Sequence, residues 1–281
     1  MNNLLKRTIT GFFLVVIVMG GLLLHPISFA LIGLIIIAGL QYELSGIILG
    51  GKPGDHRDHS GLIISFLIYI LSSLVAFGFI DQKWLLLSII IIPIIFIIEL
   101  YKPGPGHIEY LSKLFFSIIY TTLPYILMLF VSTGNSGLDT LLSFNQGLFN
   151  AGIVIAFFIL LWVNDTGAYL AGSTMGRHRL FERISPKKSW EGFAGGLLAT
   201  MIVAWAISGW FDFFTLVDWL IIALLITVGS TFGDLFESLI KREKGIKDSG
   251  SILPGHGGFL DRFDGVAIAF PIVYLYITFF A

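Results

Sequence analysis

The chain has 281 residues, 56% of them hydrophobic and only 12% charged, with a formal net charge of −1; its mean hydropathy is +0.90. A soluble globular chain carries about a quarter charged residues, so this composition excludes an ordinary soluble domain, and no nucleic-acid partner is expected. Cysteine is absent, which excludes disulfides, thiolate catalysis and thiolate metal sites.

Apolar runs of roughly 20 residues are long enough to cross a bilayer as helices. In chain order nine are expected, at 8–24, 27–49, 61–80, 84–101, 112–132, 149–171, 192–210, 216–238 and 263–281. Between them lie breaker-rich connectors such as "GGKPGDHRDHSG", "YKPGPGH" and "PGHGG". The first run reads as part of this pattern and not as a cleaved signal peptide. The expectation is an all-α polytopic membrane protein, a single integral membrane domain over 1–281. Residues 1–148 supply helices of unassigned role, and 149–281 form the core that carries the chemistry. The N-terminus and the connectors after spans 2, 4, 6 and 8 hold 16 of the 17 Lys and Arg residues. Such bias marks the cytoplasmic side, placing the N-terminus and the charged loops inside and the C-terminus outside. Trp84, Trp210 and Trp219 lie near span ends and read as interface anchors.

Two of these loops concentrate charge. The one after span 6 holds Arg177, Arg179, Arg183, Lys187 and Lys188; the one after span 8 holds Lys241, Arg242, Lys244, Lys247 and Arg262. Attraction to anionic lipid explains the sign, but not the interleaved acids and glycines. On a helix Asp234, Ser238 and Lys241 share one face at i, i+4 and i+7. Asp234 and Glu237 fall within an apolar run, where a carboxylate facing lipid costs at least about 2.5 kcal/mol. The bland alternative is a packing cluster with Asp234 paired to a lysine. Asp261 and Asp264 stand one turn apart after "PGHGG". Carboxylates without His or Cys partners suit Mg²⁺, and glycines let backbone N–H groups approach an anion.

Acids, bases and glycines within 31 residues describe a phosphoryl- or nucleotidyl-transfer site. Asn164 and Asp165 lie deep in span 6, and "SPKKSWEG" places Lys187 and Lys188 beside a helix start with Ser189 as its cap. Those two lysines are placed to hold a triphosphate. "DHRDH" at 55–59 reads as a solvated turn, because its spacing matches no common ligand motif. Glu43 and Glu99, near the inner ends of spans 2 and 4, are placed to meet interfacial water or nearby lysines.

Residues 238–264, "SLIKREKGIKDSGSILPGHGGFLDRFD", resemble the signature of the phosphatidate cytidylyltransferases, and the upstream "DTGAY…GRH…SPKKSWEGFAGG" is also similar to that family. The resemblance covers about 160–265; before residue 150 it rests on hydropathy and length. It implies transfer of CMP from CTP to phosphatidate, giving CDP-diacylglycerol and pyrophosphate with Mg²⁺, in the cytoplasmic (inner) membrane of a bacterium, by a homodimer. On this reading Asp234, Asp261, Asp264 and Asp248 are the metal candidates. Asp234, Ser238, Lys241, Asp261 and His256 form the catalytic group, with His256 positioning or contacting phosphate. Lys187, Lys188, Arg242, Lys244, Lys247, Arg262 and Asp165 contact substrate. Competing readings are a CTP-dependent lipid kinase, which transfers the γ-phosphoryl group, and a transporter of anionic lipid or nucleotide. The latter class often shows inverted repeats, and none is clear here.

Overall fold

The structure is a computed structural model and describes residues 3–49, 56–133, 149–211, 213–250 and 257–281. In chain order it contains α1 (Asn3–Leu24), α2 (Pro26–Leu49), α3 (His56–Ala76), a 3₁₀ turn (Gln82–Leu86) running into α4 (Leu87–Leu100), α5 (His107–Thr133) and α6 (Gly152–Met175). A hairpin of β1 (Arg179–Phe181) and β2 (Ser185–Ser189) follows, then α7 (Trp190–Ile207), α8 (Leu216–Glu243), α9 (Leu260–Phe263) and α10 (Val266–Phe279). Among the described residues, eight helical segments are long and apolar enough to cross a membrane, from Pro26–Leu49 to Leu260–Phe279. The first expected span, 8–24, lies in α1, where the apolar stretch among the described residues is the shorter Val15–Leu24. The last expected span is interrupted, because the helix breaks at Asp264–Gly265 between α9 and α10.

The hairpin is the departure from an all-helical chain. Its strands pair antiparallel with Arg179 opposite Ser189 and Phe181 opposite Ser185. Pro186 in β2 is tolerated because a two-stranded ribbon has free edges that need no donor.

The chain divides into two compact units, Met1–Phe149 with Ser249–Leu260, and Asn150–Asp248 with Asp261–Ala281. Within the first, a buried polar seam joins α2 to α5. Gln41 Nε2 donates to Ser117 Oγ at 2.8 Å, and Thr121 Oγ1 donates to Gln41 Oε1 at 2.7 Å. Lipid tails are as apolar as leucine, so helices associate in lipid through close packing and such hydrogen bonds. Glu99 is buried and meets Lys102 at 2.7 Å and His107 at 2.9 Å, so this acid finds a nearby lysine as expected.

In the second unit small residues let helices touch by their backbones. A Cβ on Gly167 of α6 would lie 2.7 Å from Ala199 Cβ of α7, and one on Gly229 of α8 would lie 2.5 Å from Ala269 Cα of α10. Ser189 caps α7 as expected, accepting from Gly192 N–H at 3.1 Å. Thr215 and Asp218 form a capping box at the start of α8. The expectation for Trp219 fails: it is 1% exposed, packed against Phe211 and Phe214. Trp84 and Trp210, at 46% and 85% exposure, are open to the surroundings.

Candidate active site

The second unit encloses a cavity of about 590 Å³, walled by α6, the hairpin, α7, α8 and the α9–α10 break. One face of α8 supplies its most polar wall. Asp234 accepts a hydrogen bond from Ser238 Oγ at 3.3 Å and pairs with Lys188 Nζ at 2.7 Å. Lys188 also donates to the Thr231 carbonyl at 3.2 Å, which ties β2 to α8. The bland pairing of Asp234 with a lysine is thus real, but the pair lines a cavity and is not sealed in packing.

Lys241 turns away from that pair. It is 8% exposed and bridges Glu237 and Asp261, each at 2.6 Å. It is held behind the wall by two carboxylates, so the expected stripe of Asp234, Ser238 and Lys241 divides into two ion-pair systems. Asp261 lines the cavity on its other side.

Ligand oxygens of Asp234, Glu237 and Asp264 lie within 4.8 Å of one another. Close packing brings them together: a Cβ on Gly233 would sit 2.5 Å from the Asp264 carbonyl oxygen, so glycine there lets the α9–α10 break approach α8. Asp264 Oδ1 accepts from the Gly265 N–H at 2.7 Å, which fixes its rotamer. Glu237 is 1% exposed, and its Oε1 is buried with no hydrogen-bond partner among the described residues. A buried acceptor left unmatched costs about 1–3 kcal/mol, and a hard cation is one group that would satisfy it. The all-oxygen donor set fits Mg²⁺ on that ground.

Asp165 and Asn164 lie on α6 at the cavity. Asp165 is open to it, whereas Asn164 is buried, donates to Ser230 Oγ at 3.0 Å and leaves Oδ1 unmatched among the described residues. From the hairpin, Arg179 and Lys187 reach the cavity, both exposed. Glu191 secures the hairpin base, accepting from the backbone N–H of Arg177 at 3.1 Å and of His178 at 3.2 Å, and meeting His178 Nδ1 at 2.6 Å.

Several expected residues are not gathered in. Arg242, Lys244, Lys247, Asp248 and Arg262 are exposed and lie outside the cavity lining, with Arg242 donating to the Ile246 carbonyl at 3.1 Å. Asp248 is not part of the acidic group among the described residues. His256 lies outside the described residues; of the "DHRDH" segment, residues 56–59 form the start of α3 and not the expected turn, and Asp55 lies outside the described residues. Three features of the site exceed the expectation: the grouping of the buried Glu237 with Asp234 and Asp264, the Asn164 Oδ1 unmatched among the described residues, and Arg179 in the cavity lining. For Glu237 the signal was its position three residues after Asp234 in an apolar run.

Acids gathered on one wall and basic side chains on the facing hairpin suit a phosphate-bearing substrate with a divalent cation. The family model described as the cytidylyltransferase family matches residues 5–280. Over 122 residues the chain is 45% identical to proteins named phosphatidate cytidylyltransferase from Staphylococcus saprophyticus and Staphylococcus aureus, and 44% identical to one from Staphylococcus haemolyticus. Each match covers 43% of this chain and 46% of the relative, so the chain spans just under half the length of the curated relatives it matches. Because the family model runs over almost the whole length, the chain belongs to the cytidylyltransferase family.

Proposed function

We propose that the protein is a CTP:phosphatidate cytidylyltransferase, converting CTP and phosphatidate to CDP-diacylglycerol and pyrophosphate. One observation carries the reading: in a chain of this family, a cavity of about 590 Å³ is lined by the Asp234, Asp261 and Asp264 carboxylates together with Arg179, Lys187 and Lys188 of the hairpin, and the buried Glu237 carboxylate lies within 4.8 Å of Asp234 and Asp264. The names of the Staphylococcus relatives support the substrate pair.

Asp234, Glu237 and Asp264 would hold Mg²⁺, with Asp261 beside them. Bound there, Mg²⁺ supplies charge neutralisation of the polyphosphate and the leaving pyrophosphate. Arg179 and Lys187 orient the triphosphate, and Lys188 adds a cation already fixed on Asp234. Lys241 keeps Glu237 and Asp261 in place and contacts no substrate. A lipid phosphate oxygen forms a bond to the α-phosphorus of CTP while the bond to the bridging β-phosphate oxygen breaks, in line. The monoester is largely ionised at neutral pH, so the protein need not remove a proton. Its contribution is orientation and fixed charge.

The same reading takes α1 as a ninth span, with the N-terminus and the charged loops on the cytoplasmic side of a bacterial membrane. It also takes the enzyme as a homodimer. The test uses purified protein with phosphatidate, Mg²⁺ and CTP labelled in turn at the α- and γ-phosphorus. Mg²⁺-dependent α-label in the lipid supports cytidylyl transfer. γ-Label in the lipid would make the protein a kinase, and no label from either in a folded sample would remove the enzyme reading.

A further inference from the structure

The first unit contains a buried acid that the cavity does not use. Glu43 on α2 is 4% exposed. Its partners come from more than 200 positions later in the chain: Ser249 Oγ donates to Oε2 at 3.0 Å, and the Leu260 backbone N–H donates to the same oxygen at 2.9 Å. One carboxylate oxygen thus joins the two ends of the segment 249–260, which belongs to the same compact unit as α2.

The surroundings are built for this contact. A Cβ on Gly250 would lie 2.5 Å from Glu43 Oε1, and one on Gly258 would lie 2.2 Å from Oε2, so side chains at either position would push the carboxylate away. Gly257 has φ 82°, a backbone conformation that favours glycine. One turn before Glu43 on the same helix, Gly39 makes room for the Phe259 ring, which a Cβ there would approach to 2.6 Å. Gly39 and Glu43 therefore form one receptor face on α2, taking the ring of residue 259 and the N–H of residue 260. Burying a carboxylate costs several kcal/mol unless its hydrogen bonds are met, so a core carboxylate kept only to fill space would be a poor choice.

We infer that Glu43 is a positioning residue: with Gly39 it anchors residues 257–260 and so sets where α9 begins. Asp261 is the next residue in the chain, and Asp264 follows at the end of α9. Neither reaches its place without the chain entering α9 at the right point. Glu43 touches no substrate and acts through the backbone it holds. Its loss is felt in turnover, because misplacing reacting groups by about 1 Å costs on the order of a hundredfold. The effect on turnover rests on the cytidylyl-transfer reading, whereas the anchoring of 257–260 does not.

The experiment combines amide hydrogen exchange with steady-state kinetics on the full-length protein in detergent, for wild type, Glu43→Ala, Glu43→Gln and Gly39→Ala. Glu43→Ala should speed exchange across 257–264 and lower kcat on the order of a hundredfold, with KM for CTP within about threefold. In Glu43→Gln the amide oxygen still accepts the Leu260 N–H, so most of that loss should be recovered. Gly39→Ala keeps the carboxylate but displaces Phe259, and should move exchange and kcat in the same direction. If Glu43→Ala exchanges fast everywhere because it has unfolded, Gly39→Ala decides the matter. Unchanged exchange over 257–264, or a raised KM for CTP with intact kcat, overturns the assignment. So does a Glu43→Gln variant as inactive as the alanine form. Faster exchange over 257–264 in a protein that transfers no CMP upholds the anchor and sinks the reaction.

Discussion

Lys241→Met isolates what the buried ion-pair system is worth. Lys241 has a side chain 10% exposed between Glu237 at 1% and Asp261 at 16%, with both contacts at 2.6 Å. Methionine fills a similar volume but leaves two carboxylates without their shared cation. Breaking a buried pair by removing one partner costs about 3–5 kcal/mol, because the remaining charge stays buried and uncompensated. The residual exposure of Asp261 admits some water, which places the expectation near the lower end, about 3 kcal/mol. Unfolding followed by circular dichroism in a detergent titration at fixed micelle composition would read this as a lower midpoint at unchanged slope. The triple variant K241M/E237Q/D261N removes all three charges together and should recover more than half of the lost stability. If K241M stays within about 0.5 kcal/mol of wild type, Lys241 is not the neutralising bridge described here. If the triple variant is as unstable as K241M, the cost lies in packing and not in uncompensated charge.

The site's other parts make separate predictions. Asp234→Asn should abolish turnover in a protein whose melting temperature is close to wild type, since Asp234 is half-open and lines the cavity; measurable activity at saturating Mg²⁺ would remove it from the metal role. Gly233→Ala should lower both activity and stability, because its Cβ would sit 2.5 Å from the Asp264 carbonyl, whereas Gly46→Ala, with nothing within 4 Å, should behave as wild type. Equal effects in the two variants would count against packing as the device that brings Asp264 to α8. Glu191→Ala removes the acceptor shared by Arg177, His178 and the His178 ring. By loosening the hairpin it should raise KM for CTP about tenfold with little change in kcat, as expected for lost binding that is equal in ground and transition states. An unchanged KM would separate the hairpin from nucleotide binding.

Part of the site was legible because helical spacing is a local rule. Asp234 and Ser238 lie at i, i+4 and do meet, and Ser189 caps the helix it precedes. The choice of partner across elements was not legible. Spacing placed Lys241 beside Asp234, yet its cation is claimed by Glu237 one turn earlier and by Asp261 from another helix. Asp248 shares the chemistry of the other acids but stays outside because no packed helix carries it inward. The hairpin was missed because "SPKKS" has no apolar alternation and contains a proline; its pairing and the clasp of Glu191 hold it, not strand propensity. Trp219 lies near the end of a span, but packing against Phe211 and Phe214 outweighs the interfacial preference of an indole ring.

The sequence alone determined that the chain is helical and built for lipid, because run length and the near-absence of charge leave the backbone no other way to satisfy its hydrogen bonds there. It also determined which few residues had to be chemical, since a charge in an apolar run is too costly to keep without use. Only the tertiary structure decided which acids share a site and which are neutralised, and that a glutamate on α2 holds residues 249 and 260 together. Those outcomes depend on contacts between positions far apart in the chain, and these are set by how closely small residues let helices approach, a quantity no local spacing encodes.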